Sequence, residues 1–185
     1  MSEERSRRSA RLNLIAIATV ALLPVVGSYV LYWFWKPAAF LNYGELLATA
    51  VPELHAQTGL PKLRGKWAFL IVDSGTCDEW CRRKLYIMRQ VRLTQGKDMD
   101  RVERAWLLDD AAVPGAALVS EYAGTYLLQA PGNALLAKLP ASGSVRDHIY
   151  LVDPLGNLVL RYPRDADPSR IKKDLSRLLR ASRIG

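Results

Sequence analysis

The chain has 185 residues, half of them hydrophobic and 24% charged, with a formal net charge of +8. That length fits one ordinary domain plus an appendage, and two cysteines are too few for a disulfide scaffold. The basic excess is dispersed and nowhere interleaved with stacking aromatics, which argues against a nucleic-acid partner; a solvated basic surface near an anionic membrane accounts for it.

Four arginines, Arg5, Arg7, Arg8 and Arg11, precede an uncharged run of 24 residues, Leu12–Trp35. About 20 such residues cross the hydrocarbon core as a helix, so the run can span a bilayer with some tilt. Pro24 is tolerable inside a membrane helix. Tyr29, Tyr32, Trp33, Phe34 and Trp35 crowd the far end, where amphipathic rings favour the headgroup zone. The arginines place residues 1–11 in the cytoplasm and residue 36 onward outside. A cleaved signal peptide would need a small-x-small site, and bulky aromatics stand in its place.

Residues 36–64 read as a connector. NYGELLATAVPELHAQ has apolar residues at helical spacing, but Pro52 interrupts it and GLPKLRG is rich in turn formers. A domain is expected over residues 65–185. Trp67–Val72 (WAFLIV) is a continuous apolar run of strand length, as in a strand buried on both faces. A short loop, DSGT, leads into a helix from about Cys77 to Leu93, and Trp106–Leu108 with Val102 suggests a second, parallel strand. The stretch 111–140 gives weaker signals: a short helix near Gly115–Tyr122, then a strand or loop around Tyr126. His148–Val152, a tight turn at Pro154–Asn157 and Leu158–Tyr162 form a β-hairpin. Asp167 is the expected N-cap and Pro168 the first residue of a closing helix. In that helix Ile171, Leu175, Leu178 and Leu179 face inward, while Arg170, Lys172, Lys173, Arg177 and Arg180 stay wet. The order predicts an α/β fold: a thioredoxin-like mixed sheet with flanking helices, preceded by one transmembrane helix.

The sharpest local signal is Thr76-Cys77-Asp78-Glu79-Trp80-Cys81, just past the first strand. A helix starting there puts Cys77 in its first turn and Cys81 one turn on, on the same face. Unpaired amides and the positive dipole end favour a thiolate at Cys77. The two sulfurs suit a disulfide if the first turn opens, or a soft ion such as Cu(I); two buried, inert cysteines are the bland alternative. Asp73, Asp78 and Glu79 flank them as solvated or capping acids. Asp109 and Asp110 end the second strand with no evident partner.

GKWAFLIVDSGTCDEWC followed by a long helix, with HIYLVDPLGNLVLRYP later, resembles the Sco/SenC group of thioredoxin-like proteins. NYGELL, LRGKW, CRRKLYIMRQVR and DHIYLVDPLGN are similar to a proteobacterial subgroup of small Sco-like membrane proteins associated with cytochrome oxidase. The likeness runs from Gly65 to the C-terminus. It implies a tethered assembly factor for cytochrome c oxidase in a bacterial inner membrane, with the domain in the periplasm. Cys77 and Cys81 would bind copper as Cu(I) or cycle as a disulfide. The partner would be the oxidase's copper-binding subunit or another assembly factor, besides the lipid bilayer. The third copper ligand of Sco proteins is a histidine a few residues earlier than His148, with Val145 nearest its place. His148 is the candidate for that role here, and His55 is the other imidazole of the chain. Thioredoxins carry a cis-proline before the corresponding strand. No proline stands at Asp147 or His148, which argues against a general dithiol oxidoreductase. A scaffold that keeps the fold with a structural disulfide is the alternative function.

Overall fold

The computed structural model describes residues 2–34, 42–47, 63–130, 132, 134–182 and 184. The chain divides into two compact units, Met1–Leu41 and Asn42–Gly185. The first holds one helix, α1 (Ser2–Phe34), which runs through Pro24 without a break. Its segment Arg11–Phe34 has a mean hydropathy of 2.3 and is wholly unburied, so it is long and apolar enough to cross a membrane. Trp35, the last residue of the expected span, lies outside the described residues.

The second unit is built on a six-stranded sheet in the order β1-β6-β5-β2-β3-β4. The strands are β1 (Glu45–Leu46), β2 (Trp67–Asp73), β3 (Val102–Leu108), β4 (Thr125–Gln129), β5 (His148–Val152) and β6 (Leu158–Pro163). β2, β3 and β4 run parallel; β5 is antiparallel to β2, β6 to β5 and β1 to β6. Helices α2 (Glu79–Leu93), α3 (Ala116–Glu121), α4 (Ala134–Lys138) and α5 (Pro168–Ala181) complete it. This is the expected thioredoxin-like mixed sheet.

Alternation in the central strands explains the unbroken apolar run of β2. Trp67, Phe69 and Ile71 point to one face, where α2 and α5 supply Leu85, Met88, Val91, Ile171, Leu175 and Leu179. Ala68, Leu70 and Val72 point to the other, against Leu63, Ala130, Leu139 and Tyr150. Both faces are covered, so no polar alternation is required. Full burial of side chains such as Phe69 and Ile71 contributes about 1.5–3 kcal/mol each.

The hairpin β5–β6 closes as its turn residues require: Gly156 takes φ 97° and its amide donates to the Asp153 carbonyl. α5 begins as its sequence dictates, with Asp167 Oδ1 accepting from the Ser169 amide at 2.8 Å and Pro168 in the first turn.

The expected connector contributes to the sheet. Glu45 and Leu46 pair with Arg161 and Leu160 as an edge strand. The amides of Tyr43 and Gly44 both donate to Asp174 Oδ2, at 2.8 and 2.9 Å. A Cβ on Gly44 would lie 2.6 Å from the Tyr162 ring, so only glycine lets this backbone approach. A short two-residue strand leaves no period to detect, which is why sequence patterning missed it. Residues 36–41 and 48–62 of the connector, His55 included, lie outside the described residues.

Candidate functional site

β2 ends at Asp73 and the chain turns through Ser74, Gly75 and Thr76 to Cys77, which forms a disulfide with Cys81. The sequence places Cys77 inside the helix; the structure corrects this. α2 starts at Glu79, Asp78 is its N-cap with Oδ1 accepting from the Cys81 amide at 2.8 Å, and Cys77 stands outside. The reason is geometric. An i,i+4 pair in a regular helix keeps its Cβ atoms about 5–6 Å apart, whereas a disulfide needs about 3.5–4.5 Å. Cys77 closes that gap by leaving the helix in a left-handed conformation, φ 47°, and the Cα atoms come to 5.1 Å. That conformation costs an L-residue roughly 1–2 kcal/mol, and among the described residues no other non-glycine adopts it.

The cysteines are also less open than their place after a loop suggests. Cys77 is 3% exposed and Cys81 fully buried, both within the core cluster under α2. Thr76, Asp78, Glu79 and Trp80 around them are exposed. Both cysteines are therefore buried beneath exposed neighbours, Cys77 marginally less than Cys81. The Trp80 indole carries the Arg164 guanidinium over its ring at 4.3 Å, and Arg164 Nη1 donates to Asp147 Oδ1 at 3.1 Å. On the loop side, Gly75 sits where a Cβ would meet the Ala112 carbonyl oxygen at 2.0 Å. Asp110 Oδ1 accepts from the amides of Gly75 and Ala112, both at 3.1 Å. Hydrogen bonding, foremost with Ser74, holds the Asp110 carboxyl below the usual range.

A buried ion pair lies at the end of β2, beside the motif. Lys84 is fully buried and its Nζ stands 2.7 Å from Asp73 Oδ2. The ammonium also donates to the carbonyls of Val72, at 3.4 Å, and Arg146. Burial pulls the Lys84 pKa down, with Asp73 opposing the shift. Arg146 in turn clamps Asp109 through Nε and Nη2, each at 2.7 Å, and this pairing raises its pKa. So Asp73 is not a solvated flanking acid, and Asp109 does have a partner. Lys84 was missed, although a signal existed: it stands on the buried stripe of α2 that holds Cys81, Leu85 and Met88. A lysine there demands a buried counter-charge.

The structure brings Cys77 and Cys81 together and leaves His148 elsewhere. β5 alternates, with Ile149 and Leu151 on the disulfide's face and Tyr150 and Val152 on the other. His148 follows Tyr150, with ring centroids 5.9 Å apart, and its Nε2 lies 3.1 Å from the Ser142 amide nitrogen. Burial lowers its pKa. It lines a cavity of about 570 Å³ with Tyr43, Arg161 and Tyr162. Among the described residues no three His, Cys, Asp or Glu side chains converge as a metal site would need. The donor set offers two sulfurs joined to each other, which does not fit a complete copper site.

Residues 67–182 match the family model described as transmembrane-like, thioredoxin-like, C-terminal domain. No curated protein matches the chain. Among solved structures, apo Sco1 of Thermus thermophilus is similar at 17% identity and a TM-score of 0.54, over 76% of this chain and 99% of that one. Yeast Sco1 with copper bound is similar at 18% identity and a TM-score of 0.52, over 65% and 82%. Copper-bound ScoI of Bradyrhizobium japonicum reaches 21% identity and a TM-score of 0.47, over 63% and 87%. At such identities the likeness of the two Sco1 structures establishes the thioredoxin-like fold alone. With its family model covering more than half of its length, the chain belongs to the transmembrane-like, thioredoxin-like C-terminal domain family.

Proposed function

We propose that this protein is a dedicated thiol–disulfide reductant for assembly of a respiratory cytochrome c oxidase, tethered by α1 to a bacterial inner membrane with its domain in the periplasm. The observation that carries this reading is the disulfide itself: Cys77 and Cys81 are paired at the mouth of α2, Cys77 marginally less buried than Cys81. In the reduced protein, the Cys77 thiolate attacks one sulfur of a target disulfide. A mixed disulfide forms and the second target sulfur leaves as a thiolate. Cys81 then attacks the Cys77 sulfur, releases the first target sulfur as the other thiolate and closes the internal disulfide, so two electrons pass to the target. The open N-terminal amides of α2 favour negative charge on the sulfurs between these steps. Regeneration requires an upstream dithiol donor. The target is a cysteine pair in the oxidase's copper-binding subunit or in another assembly factor, and the tether raises their effective concentration.

Copper is the second arm of this reading, favoured by the fold shared with copper-bound yeast Sco1. Reduced Cys77 and Cys81 are soft donors suited to Cu(I) as cargo, but His148 is not beside them, and no step above is routed through the metal. A scaffold with a structural disulfide is favoured by the burial of both cysteines.

The experiment is exchange with a model disulfide, using the reduced full chain. Reduction is expected to vanish in Cys77→Ser, while Cys81→Ser accumulates the mixed disulfide. No exchange in the parent protein sinks the reductant and favours the scaffold. A parallel Cu(I) titration, with His148→Ala alongside, tests the cargo arm: unchanged affinity removes His148 as a ligand.

A further inference from the structure

We propose that the outward face of α5 docks on the anionic phosphate headgroups of the bilayer that α1 enters. α5 exposes more cations than any other described element of the second unit. α5 carries Arg170, Lys172, Lys173, Arg177 and Arg180 against one acid, Asp174, which is buried and turned to the amides of Tyr43 and Gly44. Outside α5, residues 42–185 hold 16 Lys and Arg against 15 Asp and Glu, so they are nearly neutral. α2 has an equal excess, Arg82, Arg83, Lys84, Arg89 and Arg92 against Glu79, but its Lys84 is buried against Asp73 and its Arg92 lies 3.6 Å from Asp100, so α5 is the more open cationic face.

That face has the form of a headgroup site. Ser169, Lys172, Lys173, Ser176, Arg177 and Arg180 line a recess of about 420 Å³ along the helix, with cations and hydroxyls at successive turns. Lys172, Lys173 and Arg180 are exposed. Their apolar stems can lie along the helix while the charged heads reach outward, as basic side chains do at membrane interfaces.

The sequence sets an upper limit on the reach between the apolar helix and the domain. The domain's first described residues are fastened to α5: Tyr43 and Gly44 bond Asp174, and Arg170 lies 3.8 Å over the Tyr43 ring. Only residues 35–41 connect Phe34, the end of the apolar helix, to Asn42. Fully extended, that stretch spans less than about 30 Å. Each cation that comes to lie at an anionic surface adds about a fivefold bias toward contact. A soluble acidic protein would need the same charge but gains nothing from this short tether.

The test is acetylation footprinting of the full chain in nanodiscs of phosphatidylcholine, alone or with about one-third phosphatidylglycerol. Lys172 and Lys173 are expected to react at least about fivefold more slowly in the anionic discs. Lys138, on α4, is expected to be unaffected. The protection should disappear on going from about 0.01 M to 1 M salt, as the Debye length falls from about 30 to 3 Å. Arg180→Glu should weaken it, with the thermal transition of the domain serving as the check on folding. Equal labelling in the two kinds of disc overturns the proposal. So does protection that appears only when a protein partner is added. Neither readout depends on cysteine redox state or copper, so failure here leaves the proposed function standing.

Discussion

Replacing Lys84 by alanine removes one half of an ion pair whose side chains are 0% and 7% exposed. Two charges at 2.7 Å compensate each other's loss of water; one alone does not. Breaking such a pair from one side costs about 3–5 kcal/mol, against a total stability of about 5–15 kcal/mol for a domain. The carbonyls of Val72 and Arg146 lose a donor in the same step. Removing both charges is expected to cost far less: Lys84→Met with Asp73→Asn keeps most of the volume and keeps Asp73's acceptor for the Ser74 amide. Urea unfolding of the oxidised full chain in detergent, followed by near-UV circular dichroism, measures both variants. A loss under about 1 kcal/mol for Lys84→Ala refutes the reasoning. So does a double variant no more stable than the single one, which would mean that volume rather than charge pairing holds the site.

Other perturbations probe the motif from different sides. Asp78→Ala removes the acceptor for the Cys81 amide and is expected to cost about 1 kcal/mol by the same urea titration. Gly75→Ala drives a Cβ into the Ala112 carbonyl; it should cost about 1–3 kcal/mol and speed reduction of the disulfide by dithiothreitol, because the covering loop must shift. The His148 pKa is held below its usual 6.5 by burial, so on acidification the unfolded chain binds the proton first. Stability is therefore expected to decline as the pH drops below about 6.5 and to stop declining, for this group, below the folded pKa. His148→Gln should flatten that slope in urea midpoints measured across the window; parallel slopes would show that His148 carries no share.

Most of the fold was legible because it is written in period and punctuation. The run Trp67–Val72, the turn at Pro154–Asn157 and the Asp167–Pro168 start of α5 each rest on local chemistry, and each appears as expected. β4 was weaker because Thr125–Gln129 is an edge strand with a half-exposed pattern, and β1 left no signal in its two residues. At the site, the sequence gives the two sulfurs but not their depth. Cys77 leaves the helix because bond lengths forbid a disulfide within a regular turn, a constraint that hydrophobic spacing does not express. Lys84 and Asp73 are 11 residues apart and Arg146 and Asp109 are 37 apart, so their pairing depends on the sheet order. Face assignment for His148 follows from strand alternation, and one residue of register decides it.

Those pairings share a common target, the turn Val145–Asp147 that precedes β5. Lys84 donates to its Arg146 carbonyl, Asp109 holds the Arg146 guanidinium, and Arg164 holds Asp147. The exposed pairs contribute little singly, about 0–1 kcal/mol, but the buried lysine fixes the backbone from within. In the Sco resemblance this is the neighbourhood expected to offer copper a histidine. Here it offers a valine, an arginine and an aspartate tied to three separate elements. Each cation at this turn is matched by a carboxylate, Lys84 by Asp73, Arg146 by Asp109 and Arg164 by Asp147, so the turn is close to neutral. Three ion pairs thus hold in place the backbone ahead of β5, where the Sco resemblance expects a ligand.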